Sequence, residues 1–332
     1  MRKAICENGG CSSKLSGNEL VAMIRNARRI SGDDIDSESV KSSFDDCAIV
    51  NFDSNKLLFT TDQNPPIGHD PYIAGKIAAL HAASDVYAMG GKPLYALASI
   101  VLGKETTEEQ SEKFLAGLLD ACKEESISLV GGHTIISIEP LIGLSVIGVP
   151  KEHVYAKRKC RVGDKIYVSK PIGTGMVLRG YYNGLLEDAD LDEALSVMTI
   201  SNRVALSIVD DHSINALTDI TGFGLLGHLS EMLSSEQGVN LNMENIPFLN
   251  SINKLPALQM KSKFIDGNIA YVRKSKRIGF SIDAPERLAL FDPQTNGALL
   301  TVASGAKSSM LIDNGFVCIG DISNSNIISL QG

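Results

Sequence analysis

Pro71–Met89 is a long alanine-rich segment that reads as one helix. It carries a single aspartate, Asp85, among Ala82, Ala83 and Ala88. Alanine favours the helix, but an ionised carboxylate on such a surface needs a partner if it is buried. Any fold of this chain has to supply that partner, either as an opposite charge or as a ligand, so Asp85 is a candidate ligand.

Around this helix, strand-like and helix-like runs alternate from Cys47 onward. Ala48–Val50 and Leu57–Thr60 read as a hairpin, Leu94–Leu102 as a strand, and Glu108–Glu125 as an amphipathic helix with Phe114, Leu115, Leu118, Leu119 and Cys122 inward. Ser128–Val130 and Leu141–Val149 are further strands, and Lys151–Gly163 is basic and turn-like. The second half opens with a strand at Lys165–Ser169 and continues with helices at Asp192–Asp210 and near Gly224–Ser234. Strand-like runs follow at Val239–Leu241, Gly297–Val302 and Phe316–Ile319. Strands and helices mix without strict βαβ alternation, so the expected class is α+β. Before Cys47 the chain is polar, with a helical stretch near Gly17–Arg29 and a charged, serine-rich linker at Arg29–Ser43. The expected division is an N-terminal arm and linker over 1–45, a first domain over 46–155 and a second over 156–332. A length of 332 residues allows each half its own core.

Charge and cysteine usage narrow the function. A net charge of -8 argues against non-specific nucleic-acid binding, which needs a basic surface. No apolar run reaches the roughly 18 residues that span a bilayer. Met1–Glu7 starts basic but has no apolar signal-peptide core, so the cytoplasm is the expected compartment. The six cysteines form no CxxC pair, which points away from a zinc ribbon or a thioredoxin-type redox motif.

Asp45-Asp46 precedes a strand, Asp62 ends the next strand, and Asp219 lies in Thr218–His228. Carboxylates with no histidine at metal-ligand spacing favour Mg²⁺ over zinc, and several of them on Mg²⁺ suit a nucleoside triphosphate. The competing reading of each strand-end aspartate is a turn or helix cap. Glycine turns at Gly90-Gly91, Gly131-Gly132-His133 and Gly173-Thr174-Gly175 could present N–H groups to phosphate or could simply turn the chain. None matches a P-loop or dinucleotide fingerprint. His133 and His228 read as structural at least as readily as catalytic, His228 at a helix start. Near the N-terminus, Gly9-Gly10-Cys11-Ser12-Ser13-Lys14 sets a soft nucleophile three residues from a positive charge in a segment with nothing apolar to bury it.

Taken together, these segments resemble the selenophosphate synthetase (selenide, water dikinase) family, within the aminoimidazole ribonucleotide synthetase-like superfamily. The resemblance rests on Gly10-Cys11 with Lys14, Asp45-Asp46, Thr60-Thr61-Asp62, Ser84–Pro93, Gly131-Gly132-His133, Glu139-Pro140, Lys170–Gly173, Thr218–His228 and Asp292–Thr295. It implies a two-domain α+β fold, a homodimer whose N-terminal halves build a shared β-barrel, and conversion of ATP, selenide and water to selenophosphate, phosphate and AMP. It also implies Cys11 and Lys14 as catalytic residues and Asp46, Asp62, Asp85 and Asp219 as Mg²⁺ ligands. Lys14, Asp62, Asp85, Gly131, Gly132 and His133 become candidate ATP contacts. A monovalent cation such as potassium and a selenium-delivery protein are further candidates.

The chain departs from the family pattern at several points. Ser12 and Ser13 stand where the arm often has glycine and a second cysteine, which excludes a mechanism needing a cysteine pair. Gln63-Asn64 replace aromatic residues, His81 an asparagine, and Thr134-Ile135-Ile136 a Ser-x-Asp. Asp266–Ala270 stands near the place of a Gly-Gly-Thr-x-Arg-Asn segment, and Thr295–Ala298 replaces Thr-Ser-Gly-Gly. Two alternatives therefore accompany the resemblance: phosphoryl transfer to sulfide or another small nucleophile, and a non-catalytic nucleotide-binding regulator.

Overall fold

A computed structural model of the chain describes residues 23–24, 26–27, 29–31, 45–151, 154–155, 157–210 and 214–332. Cys11 and Lys14 lie outside the described residues. Met23, Ile24, Asn26 and Ala27 are helical, as expected. Arg29, where the expected helix ends and the linker begins, is helical, and so are Ile30 and Ser31, which were expected in the linker; none of the three is a helix breaker.

The first sheet contains β1 (Ala48–Phe52), β2 (Asn55–Asn64), β3 (Gly91–Gly103), β4 (Ser128–Ser137) and β5 (Leu141–Pro150), in the order β1-β2-β5-β3-β4. The β1–β2 hairpin closes at Phe52 opposite Asn55, with Asp53 at φ 52° in the turn. Neighbours are antiparallel except β3 and β4, which the helix α2 (Glu108–Glu124) joins as a parallel crossover.

Helix α1 (Pro71–Ala88) starts where Asp70 accepts the Tyr72 N–H and Pro71 takes the first helical position. It is buried on nearly every side, as an alanine-rich helix can be. Its contact with α2 is backbone to backbone. A Cβ added at Gly75 would lie 2.1 Å from the Phe114 carbonyl oxygen, and one at Gly117 would lie 1.9 Å from that of Tyr72. This contact sets the rotation of α2. Phe114, Leu118, Ala121 and Cys122 face inward with Gly117. Leu115 and Leu119, expected inside, are 40% and 44% exposed, because residues two away from the contact line point to the opposite side of a helix.

The second sheet has the order β7-β10-β6-β11-β8-β12-β9. Its strands are β6 (Lys165–Val168), β7 (Ala216–Asp219), β8 (Gly238–Asn242), β9 (Arg277–Ile278), β10 (Leu299–Ala303), β11 (Val317–Ser323) and β12 (Ile327–Gln331). The principal helices here are α3 (Thr174–Tyr182), α4 (Asp188–Met198), α5 (Asn202–Asp210), α6 (Gly224–Met232) and α7 (Lys263–Ser275). The single helix expected over Asp192–Asp210 is broken between α4 and α5. The Met198 and Ile200 carbonyls at the break accept from Asn296 Nδ2 (2.6 and 3.0 Å), and Ile200 also accepts from Lys170 Nζ (3.0 Å).

The two halves share α1 as a wall. Ile77 packs into the core of the second half with Ile166, Val168 and Leu300. Other α1 residues, Ala78, Leu80, Ala82 and Val86, belong to a core that includes Leu206, Val209, Leu217 and Leu299. The architecture is the mixed α+β arrangement expected.

Candidate active site

Strand β2 inverts the usual pattern of a half-buried strand. Leu58, Thr60, Asp62 and Asn64 are buried, while Phe59, Thr61 and Gln63 are exposed. Alternation therefore turns a row of polar side chains toward α1. The helix answers with His81, Ser84 and Asp85, which share one face at i, i+3 and i+4. His81 Nε2 lies 2.9 Å from Asp62 Oδ2, and the Asn296 N–H donates to His81 Nδ1 at 3.2 Å. The second bond leaves the His81 proton on Nε2, aimed at Asp62. The Thr60 hydroxyl donates to Asp85 Oδ2, and the Ser84 hydroxyl to Asp219 Oδ2 at the end of β7. Asn202 Nδ2 donates to Ser84 Oγ (2.8 Å), which completes a link from α5 through α1 to β7.

Asp46 sits just before β1. The Thr218 hydroxyl lies 2.9 and 3.1 Å from its two oxygens, and Lys157 Nζ lies 2.7 Å from Oδ1. Lys157 also reaches Glu231 Oε2 at 3.4 Å, and Tyr271 donates to Glu231 Oε1 at 2.9 Å. Burial pushes the Asp46 carboxyl up to about 6; Lys157 opposes this and Asp219 adds to it. Burial alone would also raise Glu231, but Lys157 and then His228 outweigh it and bring that carboxyl down to about 2. Burial acts to lower the Lys157 ammonium, yet Asp46 and Glu231 outweigh it and raise its pKa. The Cys47 thiol is pushed up first by burial and then by Asp85, Asp46 and Asp219, so those three carboxylates share its neighbourhood.

Asp85 thus sits on α1 against Thr60, Asp219 is tied to that helix through Ser84, Asp62 is tied to it through His81, and Asp46 is held by Thr218 beside Asp219. Several sequence expectations change. Asp62 lies inside β2 rather than at its end, and it has a histidine partner, where carboxylates alone were expected. Gly131, Gly132 and His133 do not form a turn. They sit within β4, with β5 and β3 between them and β2, and His133 is exposed opposite Ser99. Glycine is needed there for close approach, since a Cβ at Gly132 would lie 2.3 Å from the Ala98 carbonyl oxygen. Nor are the N–H groups of Gly173 and Thr174 open to phosphate, because Gln294 Oε1 accepts both at 3.1 Å. His228 lies inside α6, where its Nε2 accepts from the Phe223 N–H (3.4 Å) and pairs with the Thr221 hydroxyl (3.2 Å).

Lys157, Glu231 and Tyr271 were not singled out in the sequence, and Lys170 entered only as part of the Lys170–Gly173 block. Lys157 lies in a segment read as a basic turn, and nothing local marks it as buried. Lys170 Nζ donates to the Ile200 and Asn296 carbonyls (3.0 and 2.7 Å), and burial lowers its pKa to about 7. The recurrence of Thr60, Asp62 and Asn64 at every second position, in one row with Leu58, is the readable signal of the polar inner face.

Among the described residues no three His, Cys, Asp or Glu side chains form a ready metal-ligand group. The donor chemistry nevertheless fits a hard cation. Asp219 Oδ1 is buried with no hydrogen-bond partner, an oxygen that a cation would satisfy.

Residues 44–150 match the family described as AIR synthase related protein, N-terminal domain, and residues 161–300 match its C-terminal domain. The selenide, water dikinase of Carboxydothermus hydrogenoformans is 32% identical over 91% of this chain and 88% of its own length. That of Rhizobium meliloti is 34% identical over 93% and 89%, and that of Aeromonas hydrophila 35% over 90% and 86%. Thiamine monophosphate kinase from Aquifex aeolicus, in a complex with AMPPCP and TMP, superposes with a TM-score of 0.65 at 22% identity, covering 96% of each chain. Hydrogenase maturation protein HypE in complex with ATP gives 0.59 at 17% identity, covering 85% of this chain and 81% of its own. These two likenesses show the shared two-domain fold. By the extent and level of its identity to the first group, the chain belongs to the selenide, water dikinase family.

Proposed function

We propose that the protein synthesises selenophosphate from ATP, selenide and water, releasing AMP and phosphate. The observation that carries this reading is the match to selenide, water dikinases at 32–35% identity over about nine-tenths of the chain. The placement of Asp85 on α1, of Asp219 against Ser84 of the same helix and of Asp46 on Thr218 beside Asp219 supports it, as does the nucleotide or analogue named in two structures of the same fold.

On this reading Asp46, Asp62, Asp85 and Asp219 hold Mg²⁺, which neutralises phosphate charge and orients the phosphoryl group. Thr60, Ser84 and Thr218 hold three of those carboxylates in place through their hydroxyls, and His81 holds the fourth. Lys14 offsets charge on the γ-phosphoryl group as it leaves ADP for the selenide, and water then takes the β-phosphoryl group to leave AMP and phosphate. Cys11 helps deliver selenide to the phosphoryl group without forming an S–Se bond, which would need an oxidant, and stands three residues from the positive charge of Lys14. Gly131, Gly132 and His133 contact the nucleotide. A monovalent cation such as potassium and a selenium-delivery protein belong to the same reading, as does action in the cytoplasm; no helix among the described residues is long and apolar enough to cross a membrane.

The division into 1–45, 46–155 and 156–332 and the assembly as a homodimer are part of the proposal. The face of the first sheet away from α1 supports the dimer: Phe59 on β2 and Tyr95 and Leu97 on β3, on either side of β5, are 42%, 50% and 48% exposed. A second copy covering that face would build the shared barrel.

Phosphorus NMR of purified protein with Mg²⁺, ATP and selenide tests the assignment. Selenophosphate, AMP and phosphate should form together, and Lys14→Ala and Cys11→Ala should each lose at least about 100-fold in rate, in line with removal of a transition-state charge partner and of the group that delivers selenide. Product formation from sulfide in place of selenide, or nucleotide binding with no turnover, would overturn it.

A further inference from the structure

The buried ion pairs behind Asp46 are charge-imbalanced. Asp46 and Glu231 are two carboxylates that share the single ammonium of Lys157 by direct contact, and Asp219, whose charge also reaches Asp46, faces Lys170 as well. Side-chain exposure is only 9% for Lys157, 6% for Asp46 and 8% for Glu231, so water does little to compensate the remaining charge. Lys157 is also unequally shared. It lies 2.7 Å from Asp46 and 3.4 Å from Glu231. Glu231 is held in position for it, because Tyr271 fixes Oε1 (2.9 Å) and His228 Nδ1 lies 3.5 Å from Oε2.

We propose that Lys157 is a built-in counter-ion that competes with a divalent cation for Asp46, and that Glu231 is the partner to which it withdraws when the cation binds. The step is a movement of one ammonium between two carboxylates, with no bond made or broken. A cation against Asp46 repels the ammonium, and Glu231, buried and already oriented, keeps it from being stranded without a counter-charge. The pair would set how tightly the site takes its metal, and it would keep Asp46 neutralised between turnovers. Lys157 and Glu231 are thus positioning residues that act through Asp46. This inference rests on the proposed metal role of Asp46 and Asp219.

The test is Mn²⁺ binding to the nucleotide-free full chain, followed by electron paramagnetic resonance and calorimetry. Lys157→Met removes the competitor and should tighten Mn²⁺ about tenfold. Glu231→Gln removes the alternative partner, holds Lys157 on Asp46 and should weaken Mn²⁺ by a similar factor. A merely structural role for the pair would weaken binding in both variants, and that result overturns the proposal. Lys157→Gln, which keeps a polar side chain at the position, should shift in the same direction as Lys157→Met and provides the reading if the methionine variant does not fold. Asp219→Asn separates the two levels of the argument. If wild type binds Mn²⁺ and this variant does not, the metal reading stands whatever Lys157 does. If wild type binds none, both readings fall.

Discussion

Replacing His81 by alanine tests whether α1 holds the halves together through polar contacts. The imidazole is fully buried and makes two bonds in opposite directions, from Nε2 to Asp62 Oδ2 (2.9 Å) and to Nδ1 from the Asn296 N–H (3.2 Å). The first partner lies on β2, and the second lies just before β10, so one side chain bridges the two sheets. His81→Ala deprives both partners of that bond at about 1–3 kcal/mol each, and the space left by the ring adds about 1–2 kcal/mol. The expected loss is about 3–8 kcal/mol, a large share of the roughly 5–15 kcal/mol that stabilises a domain. Two variants divide the loss. His81→Asn returns an acceptor near the Nδ1 position for Asn296, and His81→Gln returns a donor near the Nε2 position for Asp62. Each should recover about 1–3 kcal/mol relative to alanine. The assay is guanidinium unfolding of the metal-free protein by circular dichroism, with a double-mutant cycle between His81→Ala and Asp62→Ala. A loss below about 1 kcal/mol, or a coupling near zero in the cycle, would refute the bridge.

The remaining expectations concern charge and close approach. Burial raises Asp46 from 3.8 to about 6, so the native state takes up its proton before the unfolded chain does. Stability of the metal-free protein should therefore rise by about 1–2 kcal/mol as pH falls from about 6.5 to 4.5, and decline as pH rises through about 6. Asp46→Asn should flatten that slope in thermal melts, whereas an unchanged slope would exclude Asp46 as its source. Gly117→Ala sets a methyl group 1.9 Å from the Tyr72 carbonyl oxygen in the α1–α2 contact and should cost about 3 kcal/mol in urea unfolding. Gly267→Ala, in α7 with open space around the added carbon, should instead gain up to about 1 kcal/mol. Equal effects from the two glycines would show that the helix contact is looser than described.

Local chemistry made several features legible. The alanine run with its Asp70-Pro71 start becomes α1 because composition and capping both act within a few residues. The β1–β2 hairpin and β5 follow from apolar runs bounded by polar turns, and the four aspartates stand out because carboxylates beside apolar segments need an explanation. The family resemblance could be drawn from the same short blocks. Other features depended on packing between distant segments. Gly131-Gly132-His133 looked like a turn because glycine pairs usually turn the chain, and only the closeness of Ala98 shows why an edge strand needs glycine there. The helix expected over Asp192–Asp210 breaks because Asn296 and Lys170, from segments far away in sequence, take its carbonyls.

The same division runs through the site. Which residues are able to bind a cation or carry charge is a property of their side chains, and it was readable one residue at a time. Which carboxylate meets a hydroxyl, which meets His81 and which meets Lys157 depends on how β2, β7 and the segment after β5 close around α1. Those contacts join residues from 19 to 172 positions apart, from His81–Asp62 to Thr218–Asp46, a separation at which chain periodicity carries no information. Burial then does what composition could not foretell. It turns an unremarked lysine in a basic segment into the counter-ion of Asp46, and leaves Asp219 with one oxygen that no protein group satisfies.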